Sequence, residues 1–152
     1  MADSSRDVLR KIQPEGWPPP VGYANGMCSL GQGERVLFVA GQVGWRADGA
    51  FHTDDLGEQF AQALDNVLAV VRAAGGEASS IARMTVYVTD LDAYRSSTRA
   101  IGQAWRARMG RHFPAMALVG VAGLVDKRAK VEIEATCILA PDARGERAGE
   151  TR

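Results

Sequence analysis

The chain has 152 residues, enough for one domain with its own core. Its formal net charge is zero and hydrophobic residues make up 46% of it. Neutrality argues against a surface built for nucleic acid or an anionic membrane, and no apolar run approaches the roughly 20 residues of a membrane span.

In chain order, residues 1–12 are polar and read as a flexible tail, without the apolar centre of a signal peptide, so a cytoplasmic protein is expected. Pro14 and the run Trp17-Pro18-Pro19-Pro20 impose an extended path. Tyr23 to Leu30 reads as a first strand, Gly31 to Glu34 as a turn, and Val36 to Ala40 as a buried strand broken at Gly41. Asp55 is placed to cap a helix, with Glu58 as its reciprocal partner. Leu56, Phe60, Leu64, Val67, Leu68 and Val71 then recur at helical spacing until Gly75-Gly76. Ile81 to Val88 is a strand. Thr89 and Asp92 resemble a second capping box, opening a helix whose stripe runs Leu91, Tyr94, Thr98, Ile101, Trp105 and Met109 to Gly110.

The stretch from His112 to Leu139 carries most of the functional information. Met116 to Gly123 is apolar throughout, the pattern of a strand buried on both faces. Lys130 to Leu139 alternates instead. Val131, Ile133, Ala135 and Cys137 point one way; Glu132, Glu134, Thr136 and Ile138 point the other. That puts two carboxylates on one strand face, which is either wet or lines a pocket. Residues 141–152 have no apolar period and read as a second flexible tail, leaving one domain over 13–140. The order β-β-α-β-α-β-β describes an α+β fold, one mixed sheet covered on one face by two helices. The other face, with Thr85, Tyr87, Ile138 and Val119 or Leu118, suits burial against other subunits.

Several pieces resemble the Rid family of small trimeric proteins (YjgF-type, endoribonuclease L-PSP-like). They are Gly22-Tyr23, Leu37-Phe38-Val39-Ala40-Gly41-Gln42, Gln59 with Leu64-Asp65-Asn66-Val67, Ala73-Ala74-Gly75, Thr85 to Asp90, Phe113-Pro114-Ala115, and Val131 to Ala135. The resemblance implies a chorismate-mutase-like fold and a homotrimeric barrel with clefts between subunits. It also implies hydrolysis of reactive enamines and imines without metal or cofactor.

In deaminase members the segment reads Pro-Ala-Arg-Ser, and the arginine clamps the substrate carboxylate. Here Met116 stands in that place. The family's Ser or Thr before Gly-Gln is Ala40, its helix asparagine falls at Thr98, and its small polar or thiol residue falls at Leu118. Tyr23 and Glu132 do match cleft positions. The resemblance thus makes Glu132 the catalytic candidate, with Tyr23, Ala40, Gly41, Thr98, Met116 and Leu118 as substrate-binding candidates. The cleft should then be apolar and its ligand uncharged or greasy, because a thioether cannot replace a guanidinium's paired hydrogen bonds. Arg46, Arg99 and Arg128 are the candidates for a substitute cation.

Each position also has a plain reading. Glu132 can be a solvated strand carboxylate, Tyr23 a packing anchor, Met116 core, and Trp45 a cover for the sheet edge. Cys28 and Cys137 read as small apolar strand residues. His52 and His112 lack companions at ligand spacing, so no metal site is expected. His112 could cap the end of the second helix. Two function classes follow: a hydrolase acting on a C=N or enamine bond, and a non-catalytic trimer binding a small ligand. Ribonuclease activity fits the neutral charge poorly, and neither a nucleic-acid nor a membrane partner is expected.

Overall fold

The computed structural model describes residues 8–142. Six strands form one sheet: β1 (Leu9–Ile12), β2 (Gly26–Ser29), β3 (Arg35–Val43), β4 (Ile81–Val88), β5 (Ala115–Gly120) and β6 (Val131–Leu139). Their order is β1-β2-β3-β6-β4-β5. All neighbours are antiparallel except β4 and β5, so the sheet is mixed. The parallel pair requires a crossover, which two helices provide, α2 (Leu91–Ser96) and α3 (Thr98–Met109). Helix α1 (Leu56–Ala73) links β3 to β4 across the same face, giving the expected α+β architecture of the chorismate-mutase-like kind.

The long helix forms where its caps and apolar period agree. Asp55 accepts from the Glu58 amide at 2.9 Å. Glu58 does not return the bond to Asp55; its carboxylate takes the Thr53 hydroxyl instead. All six apolar positions of its stripe are buried. Gly75 ends the helix at φ 87°, in the left-handed region that glycine enters without cost.

The alternation of β6 holds: Val131, Ile133, Ala135, Cys137 and Leu139 are buried beneath the helices, with Glu132, Glu134, Thr136 and Ile138 on the open face. That face carries exposed Phe38, Ile138 and Val119 around buried Thr85 and half-buried Tyr87. Leu118 lies on the helix side instead, in register with Val86.

Four expectations need correction. Leu9–Ile12 lies within the segment read as a flexible tail, yet it pairs with β2 and buries Ile12. The rest of that tail, and most of the C-terminal one, lies outside the described residues. The first strand is shorter than Tyr23 to Leu30, since Tyr23 stays in the approach loop. The second helix breaks at Ser97, and its cap is Asp90, which accepts from the Ala93 amide. Finally, β5 is not buried on both faces. It is the outer strand, exposed at Met116 and Val119, and β4 separates it from β6.

Candidate functional site

A cleft of about 380 Å³ opens on the sheet's open face, lined by Tyr23, Ala40, Gly41, Val43, Trp45, Val125, Asp126 and Glu132. Its floor is a bulge. The β3–β6 register shifts between Val39 and Gln42, so Ala40 and Gly41 form the extra backbone. The Ala40 amide donates to Asn25 O at 2.9 Å, and the buried Gln42 amide donates to Ala40 O at 3.0 Å.

Gly41 is glycine for a steric reason. A Cβ there would sit 2.0 Å from Glu132 Oε1 and 2.8 Å from its carboxyl carbon. The Glu132 carboxyl therefore lies flat over the bulge, where only bare backbone leaves room. Burial raises its pKa above the ordinary glutamate value, and the negative charge of Glu134 raises it further. Glu134 is itself engaged, accepting from the Tyr87 hydroxyl at 2.7 Å.

Two buried amides on α1 hold the rims. Asn66 donates to Val43 O at 2.9 Å and to Trp45 O at 2.7 Å, fixing the β3 exit. Gln59 donates to Thr53 O and Arg128 O, each at 3.0 Å, and accepts from the Lys130 amide at 2.8 Å, fixing the turn before β6. Gly44 lets these layers meet, since a Cβ there would lie 2.8 Å from Gln59 Cβ and 2.9 Å from its Cα.

Tyr23, Ala40, Gly41 and Glu132 are thus together. Thr98, Met116 and Leu118 are not with them. Thr98 opens α3 and donates its hydroxyl to Arg95 O at 3.1 Å. Met116 and Leu118 share the helix side of β5 with Met84 and Val86, the opposite face from Glu132. Within one protomer the seven candidates form two groups. Val43, Val125 and Asp126 were not singled out from the sequence. Val43 follows Gly41 at strand period; nothing in the Gly-containing turn marks the other two.

The arginine candidates also divide. Arg128 is bound to Asp54 at 3.1–3.2 Å and to Phe51 O at 3.0 Å, with its guanidinium 5.7 Å from the Phe51 ring centre. Arg99 is exposed on α3. Arg46 lies past Trp45, on the wall of an adjoining cavity. His52 pairs with Asp48 at 2.9 Å, and His112 contacts Ile81 O at 2.7 Å without capping a helix. Among the described residues no group of three or more His, Cys, Asp or Glu side chains could hold a metal ion. None of the described helices is long and apolar enough to cross a membrane.

Comparison with known proteins gives the site its context. The family model "Endoribonuclease L-PSP" matches residues 19–139. An Escherichia coli K12 protein named 2-iminobutanoate/2-iminopropanoate deaminase is 33% identical over 86% of this chain and 98% of its own length. The RutC family protein y4sK of Sinorhizobium fredii is 37% identical over 87% and 99%. Among solved structures, the E. coli YjgF gene product superposes with a TM-score of 0.72 at 32% identity, covering 85% of this chain and 98% of that one. E. coli TdcF, determined with bound serine, gives 0.72 at 30% identity over 86% and 99%. A match spanning every helix and five of the six strands places this chain in the endoribonuclease L-PSP family, the family also called Rid or YjgF.

Proposed function

We propose that this protein hydrolyses imines or enamines of small metabolites, with a specificity shifted from that of the deaminase relatives. The single observation that carries this reading is the Glu132 carboxyl, partly desolvated above Gly41 in a cleft that also holds Tyr23 and Asp126. Raising the pKa of a carboxyl makes its carboxylate a stronger base toward a bound water. As water adds to the C=N carbon, Glu132 takes one of its protons and passes it to the imine nitrogen, giving a carbinolamine. Glu132 then carries the hydroxyl proton to the nitrogen as the C–N bond breaks, so ammonia leaves, the carbonyl forms and the carboxylate is restored. The Tyr23 hydroxyl lies on the same cleft wall and can orient the attacking water or the substrate.

The assembly we propose is a homotrimer. It would bring Thr98 of α3 and Met116 and Leu118 of β5 from one protomer toward the Glu132 group of the next. Support comes from the exposed apolar outer strand and the open face with Phe38, Ile138 and Val119. Such an assembly buries β5 on both faces, the condition its composition calls for.

One observation favours a second reading, a trimer that binds a ligand without turning it over: Met116 supplies no cation. The two separate by experiment. Imines are generated in situ with an amino-acid oxidase, and their decay is followed by semicarbazide trapping. Hydrolysis requires faster decay with the protein and at least tenfold less with Glu132→Gln. No acceleration for any imine, with ligand binding retained, leaves the binding reading. Light scattering that reports a monomer at micromolar concentration would sink the shared cleft.

A further inference from the structure

Beside the cleft lies a second cavity, about 190 Å³, and Tyr23 and Trp45 line both. Its other walls include Trp17, Pro18 to Pro20, Val21, the polar Asn25 and Arg46. The prolines have no amide hydrogens and hold their backbone extended. Two backbone acceptors of this segment are already taken, since the Gln13 side-chain amide donates to Pro18 O at 3.2 Å and Trp17 O at 3.4 Å. Asn25 donates to Gln13 Oε1 at 2.8 Å and locks that amide in turn. The cavity is therefore a largely apolar hollow open to solvent on its Val21 side, and indole and proline faces suit a flat ring.

Among the described residues Arg46 is the only cation lining either cavity. Its neighbour Asp48 is engaged, one oxygen accepting from the Ala50 amide and the other paired with His52, each at 2.9 Å. Among the described residues no carboxylate forms an ion pair with Arg46.

We propose that this cavity is a second compartment of the substrate site and that it selects an aryl-bearing imino acid, the ring between Trp17, the prolines and Trp45, the carboxylate on Arg46. This rests on the hydrolase reading above and names its substrate class. A guanidinium at this end of the site replaces the cation absent at Met116, so the acid is held from the opposite side. The cleft alone, at about 380 Å³, falls in the range of about 300–1,000 Å³ typical of small-molecule sites, and the second cavity adds about 190 Å³.

The test is isothermal titration with the stable keto acids that such imines yield, phenylpyruvate and 2-oxobutanoate, and with neutral 3-phenylpropanamide. Phenylpyruvate should bind at least tenfold more tightly than 2-oxobutanoate. Trp45→Ala should weaken phenylpyruvate at least fivefold. Arg46→Gln should weaken it equally while leaving 3-phenylpropanamide within twofold. Circular dichroism confirms that each variant is folded. Equal affinity for the two keto acids, or an Arg46→Gln variant that binds phenylpyruvate normally, overturns the proposal. Selective phenylpyruvate binding without imine turnover keeps the compartment and removes the hydrolase reading. Turnover of short imines with no aryl preference does the reverse.

Discussion

Alanine at position 41 should disable the cleft while sparing the fold. The new Cβ would fall 2.0 Å from Glu132 Oε1, 2.8 Å from Cδ and 3.0 Å from Cγ, so the side chain must swing away from the bulge. Gly41 has no positive φ, so alanine adds no backbone strain there. Overpacking costs about 1–3 kcal/mol in a closed core. Here the displaced group is the end of a half-exposed side chain, so about 1 kcal/mol is expected, a fall in Tm of about 2–4 °C. Turnover should suffer far more, because a displacement of about 1 Å in a reacting group can cost about 100-fold. Imine decay and a thermal melt on the same preparation check both halves. A Gly41→Ala protein with near-normal turnover would refute the idea that Glu132 acts from above the bulge. A loss of more than about 10 °C would refute the claim that the clash is confined to a movable side chain.

Three further outcomes follow. The folded state raises the Glu132 pKa, so it binds that proton more tightly than the unfolded chain does, and stability is lost as pH climbs above the ordinary glutamate range. Glu132→Gln, which stays neutral, should therefore gain in Tm over wild type between about pH 4 and about pH 8; a constant difference would contradict this. Asn66→Ala strips the hydrogen bonds from Val43 O and Trp45 O and should cost about 2–3 kcal/mol, with 2-oxobutanoate binding weakened alongside; titration and denaturant melts read both, and unchanged binding would show that the β3 exit holds itself. Burial, with the Cys28 thiol as a lesser influence, pushes Cys137 up to about 12, so its thiolate is scarce at pH 8. Ellman's reagent should therefore label it only on unfolding, and labelling of Cys137 in the native protein within minutes would contradict its buried position.

The sequence made the fold legible where one force dominates. The α1 stripe and the β6 alternation each serve a single buried face, so period alone located them. Leu9–Ile12 was missed because an outer strand in register with β2 needs only its backbone and one buried side chain, Ile12. Ser97 interrupts α2 and α3 without disturbing the stripe, since Ile101, Trp105 and Met109 still face the core. The apolar run of β5 reads as doubly buried, yet β5 is the outer strand and its residues stay exposed or half-buried in the protomer. An apolar run reports composition, and strand order decides what lies against it.

The candidate site was legible to the same degree. Period 2 placed Glu132 on the open face, and the Gly41-Gln42 pair marked where β3 breaks. It could not reveal that Gly41 is bare to admit the Glu132 carboxyl, because that contact joins residues 91 positions apart. Nor could it separate Met116 and Leu118 from Glu132, which requires the strand order and the parallel register of β5 on β4.

Asn66 and Gln59 grip main-chain atoms of the loops they steady, never the side chains those loops present. Identity at position 125, a fully exposed side chain on the cleft wall, is thereby released from the job of maintaining shape, while Val43 and Trp45 still pack with Phe51 and Ala129. Descendants of such a gene could exchange one wall residue there for another through single viable steps, arriving at new chemistry without first losing the vessel that contains it.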